Sequence, residues 1–383
     1  MSYLDHAATT PMLPAALDTY LRVAKTVGNA SSLHTSGRAA RRIVEESREQ
    51  IAAALGAKPS EVIFTGSGTE ADNLATKGLF WSRRAQGRHR LVTSGIEHHA
   101  VADPITWLEC HEEARVTRLN VDEHARIDVD QLADLLLHHR EEVALISCMW
   151  ANNEVGTVQP IAQIVELADD IPVHSDAVQA VGAVPVNFAE AGLTALTLSA
   201  HKLGGPVGVG ALLLKRDASC TPILHGGGQE REVRSGTLDT AGIASFATAV
   251  ATAVENLASE SRRLEELRDD LIARVRQAVP TAILNGDPEN RLPGNAHFSF
   301  PGCEGDALLM LLDAAGIECA TGSACTAGVA QPSHVLLAMG VGEDQTRSSL
   351  RFSLGHTSTP EDVSALVKAL PAAVERARSA GLS

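Results

Sequence analysis

The chain is short of positive charge. Its 383 residues carry 32 Lys and Arg against 47 Asp and Glu, a formal net charge of -15. Phosphate neutralisation needs a basic face, so direct binding to nucleic acid is not expected. No run approaches eighteen apolar residues, which argues against a membrane span. The opening MSYLDHAATTP has neither the basic nor the apolar region of a secretory signal. Cysteine is sparse: Cys110, Cys148, Cys220, Cys303, Cys319 and Cys325 include no CxxC pair, and no histidine–cysteine cluster has ligand spacing. A disulfide framework and a metal centre are therefore not indicated, and a reducing cytoplasm is the expected compartment. Neither an internal repeat nor a long disordered linker interrupts the chain.

What is present is alternation. Apolar residues make up 44% of the chain, enough for one large core and a smaller satellite. Residues 36–55 have helical spacing (Ile43, Val44, Ile51, Leu55) and stop at Gly56. Strand-like stretches follow at 61–65, 91–93, 115–119, 143–148, 173–175, 196–198 and 210–214, separated by helical ones. This pattern predicts an α/β fold with a mostly parallel sheet flanked by helices. Residues 241–279 are dominated by helix formers. Beyond them, strands at 296–300 and 349–354 pair with helices at 307–314 and 360–377, which predicts a smaller α/β domain. The expected division is a large domain over 14–250 and a small one over 251–383, with residues 1–13 packed near it.

Seven segments carry chemistry. After the strand at 61–65, Gly66-Ser67-Gly68-Thr69-Glu70 opens a helix, with Ser67 and Glu70 at capping-box spacing. Free amides at such a start suit a phosphate, Gly68 and Thr69 being the expected donors. His98 follows the next strand, where a ring can stack on an aromatic cofactor and move protons. Asn153 follows another, and its amide suits a cofactor oxygen and a carboxylate. Asp176 and Gln179 lie at one strand end, and Ser199, His201 and Lys202 at a later one. Lysine and aspartate so placed are what pyridoxal phosphate requires: the amine forms the Schiff base and the carboxylate keeps the pyridine nitrogen protonated. An ion pair at ~4 Å in an effective dielectric of ~20 is worth about 4 kcal/mol, or roughly three pK units, enough to hold that proton at neutral pH. Gln179 is then expected to bond the phenolic oxygen, and Ser199 and His201 the phosphate. In the glycine-rich stretch 225–237, Thr237 is a further phosphate contact, donated from a partner subunit. Cys325 sits among small residues at 320–328, which read as a mobile loop with a reactive thiol. Cys110, Cys148, Cys303 and Cys319 lie in apolar segments and read as inert core. In Ser349-Leu350-Arg351-Phe352, Arg351 faces opposite to its apolar neighbours, and its fork suits an α-carboxylate. Singly, each segment has a plainer reading: a capped helix, a surface histidine, a turn, a solvated lysine, an exposed strand arginine. Jointly they are hard to reach by chance.

In this order the segments resemble the NifS/IscS-type cysteine desulfurases, fold type I pyridoxal phosphate enzymes of the class V aminotransferase group. The likeness runs from YLDHAATT and NASSLH through TGSGTEADN, EHHAV, NNEVGTVQPI, HSDAVQA, SAHKLGGPVGVGAL, GGGQEREVRSGT and TGSACTAG to SLRFSLG. The resemblance implies Lys202 as the Schiff-base lysine, Asp176 at the pyridine nitrogen, Gln179 at the phenolic oxygen and His98 stacked on the ring. Gly68, Thr69, Ser199 and His201 would bind the phosphate, and Thr237 would reach it across a homodimer interface. Asn153 and Arg351 would clamp the substrate carboxylate, and His98 would act as a base. Cys325 would take sulfur from L-cysteine as a persulfide, leaving L-alanine. The sulfur would then go to an acceptor such as an iron–sulfur scaffold protein, or into tRNA thiolation. No resident metal follows; Cys325 is the one candidate for a transient iron–sulfur ligand. Thr321 and the Ala327-Gly328 pair depart from the usual wording of that loop and bear on its motion or its partner rather than on the reaction. The alternatives are a selenocysteine lyase, another class V aminotransferase or lyase, and a non-catalytic scaffold that kept the fold. Asp176, Lys202 and Arg351 would serve any of these enzymes, whereas Cys325 distinguishes sulfur transfer.

Overall fold

The computed structural model describes residues 1–321 and 332–381. In chain order its strands are β1 (Ser2–Tyr3), β2 (Val62–Thr65), β3 (Arg90–Ser94), β4 (Arg115–Leu119), β5 (Val143–Ser147), β6 (Val173–Asp176), β7 (Ala195–Ser199), β8 (Gly210–Leu214), β9 (Ile283–Asn285), β10 (Asn295–Ser299), β11 (Ile317–Glu318) and β12 (Ser349–Ser353). Seven of them form one sheet in the order β2-β8-β7-β6-β5-β3-β4. From β4 to β7 every pairing is parallel, while β8 runs antiparallel to both β7 and β2. Six of the seven strands therefore point the same way and end along one edge. This is the mostly parallel α/β sheet expected from the sequence.

Both faces of the sheet are covered, which is why its strands read as unbroken apolar runs. Val62, Phe64, Leu196, Leu198 and Leu213 pack on one side with Val44, Ile51, Leu132 and Phe246. Ile63, Leu91, Leu212 and Leu214 pack on the other with Leu74, Leu79, Phe80 and Ile105. A second core surrounds the antiparallel sheet β12-β10-β9, where Phe298 and Phe352 meet Leu271, Leu312, Leu366 and Leu370 from the helices Leu257–Ala278, Gly305–Ala314 and Pro360–Gly381. The N-terminus is tied to this part: β1 pairs with β11, and Asp5 bridges to Ser353. Among the described residues no single helix is long and apolar enough to cross a membrane.

One expectation, for Cys110, needs correction, and two other stretches gain detail. The helical stretch 241–279 breaks at Asn256 into two helices, Thr240–Glu255 and Leu257–Ala278, with a 71° bend. Cys110 is exposed rather than core. In the helix His99–His111 the buried face is Val101, Ile105 and Leu108, and Cys110 falls two residues past that face. The glycine-rich stretch near 230 is anchored in the large core. Glu230 is buried and takes a bidentate pair from Arg48, at 2.7 and 2.9 Å, together with the Phe64 N–H at 2.9 Å.

Candidate active site

The C-terminal ends of the aligned strands, where ligands bind in open α/β sheets, surround a cavity of about 460 Å³. Ten residues singled out from the sequence line it: Gly68, Thr69, His98, Asn153, Asp176, Gln179, Ser199, His201, Lys202 and Arg351. Thr237 is exposed and does not line the cavity of its own chain. Cys325 lies outside the described residues.

At one end of the cavity β2 turns into the helix Gly68–Arg84. Ser67 caps it by accepting the Glu70 N–H at 3.0 Å. The reciprocal half of the box is missing. Glu70 instead accepts the Gly66 N–H at 2.7 Å and pairs with Arg234 at 2.7 Å. Among the described residues no acceptor takes the N–H of Gly68 or Thr69, so both remain available at the positive end of a seventeen-residue helix. A Cβ on Gly68 would stand 3.1 Å from Ser199 Cβ and 3.2 Å from Val178 Cγ2. Only glycine leaves that cradle open. Ser199 ends β7, and the following turn places His201 and Lys202.

Asp176 ends β6 on the cavity floor. Its Oδ1 accepts the Val178 N–H at 2.9 Å. Burial pushes the carboxyl up to about 6, opposed by that N–H and by the charge of Lys202. Lys202 Nζ donates to the carbonyls of Ala7 and Ala8 at 2.6 and 2.7 Å. Burial, assisted by Arg351, pushes this amine down to about 8, while Asp5 and Asp176 oppose the shift. Gln179 Nε2 donates to the Ala7 carbonyl at 2.9 Å. The N-terminal segment thus forms part of the wall, and local sequence gave no signal of this beyond the YLDHAATT motif.

His98 caps the helix His99–His111. Its Nδ1 accepts the Ala100 N–H at 3.1 Å, which leaves the ring proton on Nε2. Although the ring is open to the cavity, the protein around it pushes its pKa down to about 4, and Lys202, His99 and His334 add to the effect. His98 is therefore neutral at pH 7, the form that the base role implied by the resemblance requires, with the Ala100 N–H on Nδ1 and Nε2 toward the cavity. Arg351 comes from β12 across the cavity. Its guanidinium is buried, with Nη2 on Asp5 Oδ1 at 2.8 Å and Nη1 on the Asn153 carbonyl at 2.9 Å. The sequence reading missed Asp5, which is 346 residues away in the chain.

This donor set fits pyridoxal phosphate. Two free helix amides, a hydroxyl and an imidazole face an anion site, a buried carboxylate lies on the floor, and an amine of lowered pKa stands beside it. Comparison with known proteins agrees. The family model for class-V aminotransferases matches residues 2–366. An IscS-like cysteine desulfurase of Mycobacterium tuberculosis is 58% identical, covering 100% of this chain and 98% of that one. The cysteine desulfurase IscS of Dictyoglomus turgidum is 43% identical over 98% and 95%. A solved NifS-like protein superposes with a TM-score of 0.91 at 32% identity, over 98% of this chain and 100% of that one. The chain belongs to the class-V aminotransferase family, among its pyridoxal phosphate-dependent IscS/NifS-like cysteine desulfurases.

Proposed function

We propose that the protein converts L-cysteine to L-alanine and captures the sulfur on Cys325 as a persulfide, for transfer to an acceptor protein such as an iron–sulfur scaffold. In the net reaction the Cβ–S bond of cysteine breaks, an S–S bond forms at Cys325, and one hydrogen passes from thiol to carbon. The observation that carries this reading is the 58% identity, over the whole chain, to an IscS-like cysteine desulfurase; the meeting of the Lys202 amine, the buried Asp176 carboxylate and the Arg351 guanidinium in one cavity supports the pyridoxal phosphate chemistry it needs. The IscS names of the relatives support cysteine over selenocysteine and iron–sulfur assembly over other acceptors.

Pyridoxal phosphate, when bound, supplies an aldehyde for amines and a ring that accepts electrons from the substrate α-carbon. The rest is the work of the chain. Gly68, Thr69, Ser199 and His201 would hold the phosphate, Asp176 the ring nitrogen and Gln179 the phenolic oxygen. Burial pushes the Lys202 amine down to about 8, which favours its neutral form, the form that accepts the α-proton of the substrate. Arg351 still has one N–H free on each terminal nitrogen for the carboxylate, with Asn153 beside it. His98, with its proton on Nε2, donates toward ring or substrate.

Burial pushes the Cys148 and Cys303 thiols up and the Cys220 and Cys319 thiols up to about 12, so these stay protonated and inert. Cys110 is exposed but does not line the cavity. Cys325, assigned by the resemblance, remains the nucleophile. The reading extends to a homodimer in which Thr237 reaches the partner's phosphate site, to a cytoplasmic location, and to two domains over 14–250 and 251–383 with 1–13. The separate hydrophobic cores support the last.

Two mass measurements test the function. Borohydride treatment of the loaded protein is expected to fix the cofactor on the Lys202 peptide. Turnover with cysteine is expected to add one sulfur to the Cys325 peptide. Sulfide release at the normal rate by a Cys325→Ser variant would remove the persulfide from the scheme.

A further inference from the structure

Beneath the cavity floor lies a layer of buried polar groups that the chemistry above does not use. A helix packed on a sheet normally meets it with apolar side chains, because unpaired polar groups are costly to bury. Here the helix Gly68–Arg84 turns Asp72 onto the ends of β5, β6 and β7. Asp72 is 1% exposed and lines the cavity. Thr197 acts on its carboxyl, and its Oδ1 has no hydrogen-bond partner among the described residues. His174 Nε2 stands 3.5 Å from that oxygen and 3.0 Å from Thr197 Oγ1, while its Nδ1 meets Ser147 Oγ at 2.9 Å. Ser147, His174 and Thr197 are each wholly buried. His174 precedes Asp176 by two residues, so both project from the same face of β6. Thr197 is the register partner of Asp176 on β7.

The charge in this layer has little to balance it. Asp72 and Asp176 are two carboxyls in one dry space; Glu97, also buried, acts on Asp72 and is itself pushed up to about 8, chiefly by burial and in part by Asp176. The imidazole of His174 is no counter-ion, since burial pushes its pKa down to about 3. Lys202 is the cation that acts on Asp176, and no cation acts on Asp72. Two ionised carboxylates cannot share such a space cheaply, so one keeps its proton. Asp176 has a backbone N–H and Lys202 to stabilise an anion. Asp72 has desolvation and like charge against it, which outweigh the opposing effect of Thr197, and is pushed well above the usual carboxylate range.

We propose that Asp72 is a positioning residue for the ring nitrogen of the cofactor: it stays protonated, so that the Asp72–Asp176 pair carries one negative charge, matched to one ring cation. The proposal rests on the reading of Asp176 as the partner of that nitrogen. Asp72 thus leaves Asp176 the ionised member, and its carboxyl packs against His174 and Thr197, which flank Asp176 on β6 and β7. His174 and Ser147 complete the chain and hold Thr197 in place.

Infrared difference spectra of full-length protein, free and loaded with pyridoxal phosphate, test the protonation directly. Subtracting Asp72→Asn from wild type is expected to leave a deuterium-sensitive carboxylic acid C=O band in both forms, because asparagine removes that group and keeps its shape. A carboxylate band in its place means that Asp72 is ionised and overturns the proposal. In cofactor titrations followed by visible absorbance, Asp72→Asn is expected to keep affinity within about threefold, and Asp72→Val to lose about tenfold with the polar group that faces His174 and Thr197. With 15N-labelled cofactor, the ring nitrogen is expected to stay protonated in Asp72→Asn. A deprotonated nitrogen there, or wild-type affinity in a folded Asp72→Val, equally defeats it. Failure of the Asp176 reading is distinguishable, because it would show as a ring nitrogen already unprotonated in wild type.

Discussion

The two walls of the cavity handle charge in opposite ways. The floor, built by β6, β7 and the turn to Lys202, tunes its groups by dryness: Asp176 is pushed up to about 6 and Lys202 down to about 8, in each case chiefly by burial. The rim, built by β12 and the N-terminal segment, keeps Arg351 engaged by partners, Asp5 and the Asn153 carbonyl. A proton-handling group needs a pKa close to the working pH, and desolvation supplies it. A group that grips a carboxylate needs a permanent charge, and an existing partner keeps it aimed without neutralising it. Floor substitutions should therefore act on turnover and rim substitutions on substrate affinity.

The largest expected effect is at the floor. Lys202→Ala removes the amine, and turnover of cysteine should fall by at least about a thousandfold, with loss of the absorbance of the lysine-bound cofactor. Alanine production near the wild-type rate would show that another amine carries the chemistry. Asp176→Asn comes next. An interaction of about 4 kcal/mol at the ring nitrogen corresponds to roughly a thousandfold in kcat, with KM changing much less. If KM rose while kcat held, Asp176 would be a binding group and the contrast between floor and rim would fail.

At the rim, Arg351→Lys keeps the charge and loses the fork. KM for cysteine should rise by about ten- to a hundredfold, as expected when one charged hydrogen bond of a bidentate pair is lost, and kcat should stay within a few fold. A matching fall in kcat would instead place Arg351 in the chemistry.

The floor was more legible in the sequence than the rim. Lys202, Ser199, Asp176, His98 and Gly68 each follow a strand whose apolar run is visible locally, and parallel strands bring such ends together without further information. Arg351 could be assigned a facing direction from the alternation in β12, but its partner Asp5 is set only by the β1–β11 pairing and the Asp5–Ser353 bridge. Asp72 was missed for another reason. In TEADN it reads as a solvated helix residue, although it is in phase with the buried Gly68, Ala75, Thr76 and Leu79. Helical phase was the available signal. Glu70 illustrates the converse: its capping-box spacing was correct, but Arg234, 164 residues away, drew the carboxylate elsewhere. No local pattern carries that information.

The smallest expected effect joins the two walls. Arg351 is among the charges that hold the Lys202 amine down, whereas Asp5 opposes it. Replacing Arg351 with glutamine removes a positive neighbour and leaves Asp5 unpaired, and both changes favour the ammonium form. The midpoint for Lys202 deprotonation should therefore move up from about 8. Labelling of Lys202 by an amine-directed acylating reagent, read on its peptide from pH 6 to 10, gives that midpoint without substrate or cofactor. Reactivity is low below the midpoint and rises through it, so at pH 7 the Arg351→Gln protein should label more slowly than wild type. Because burial is the larger cause, the shift should stop well short of the ordinary lysine value. A midpoint that does not move would mean that the floor sets its proton affinity by dryness alone and that the rim charge never reaches it.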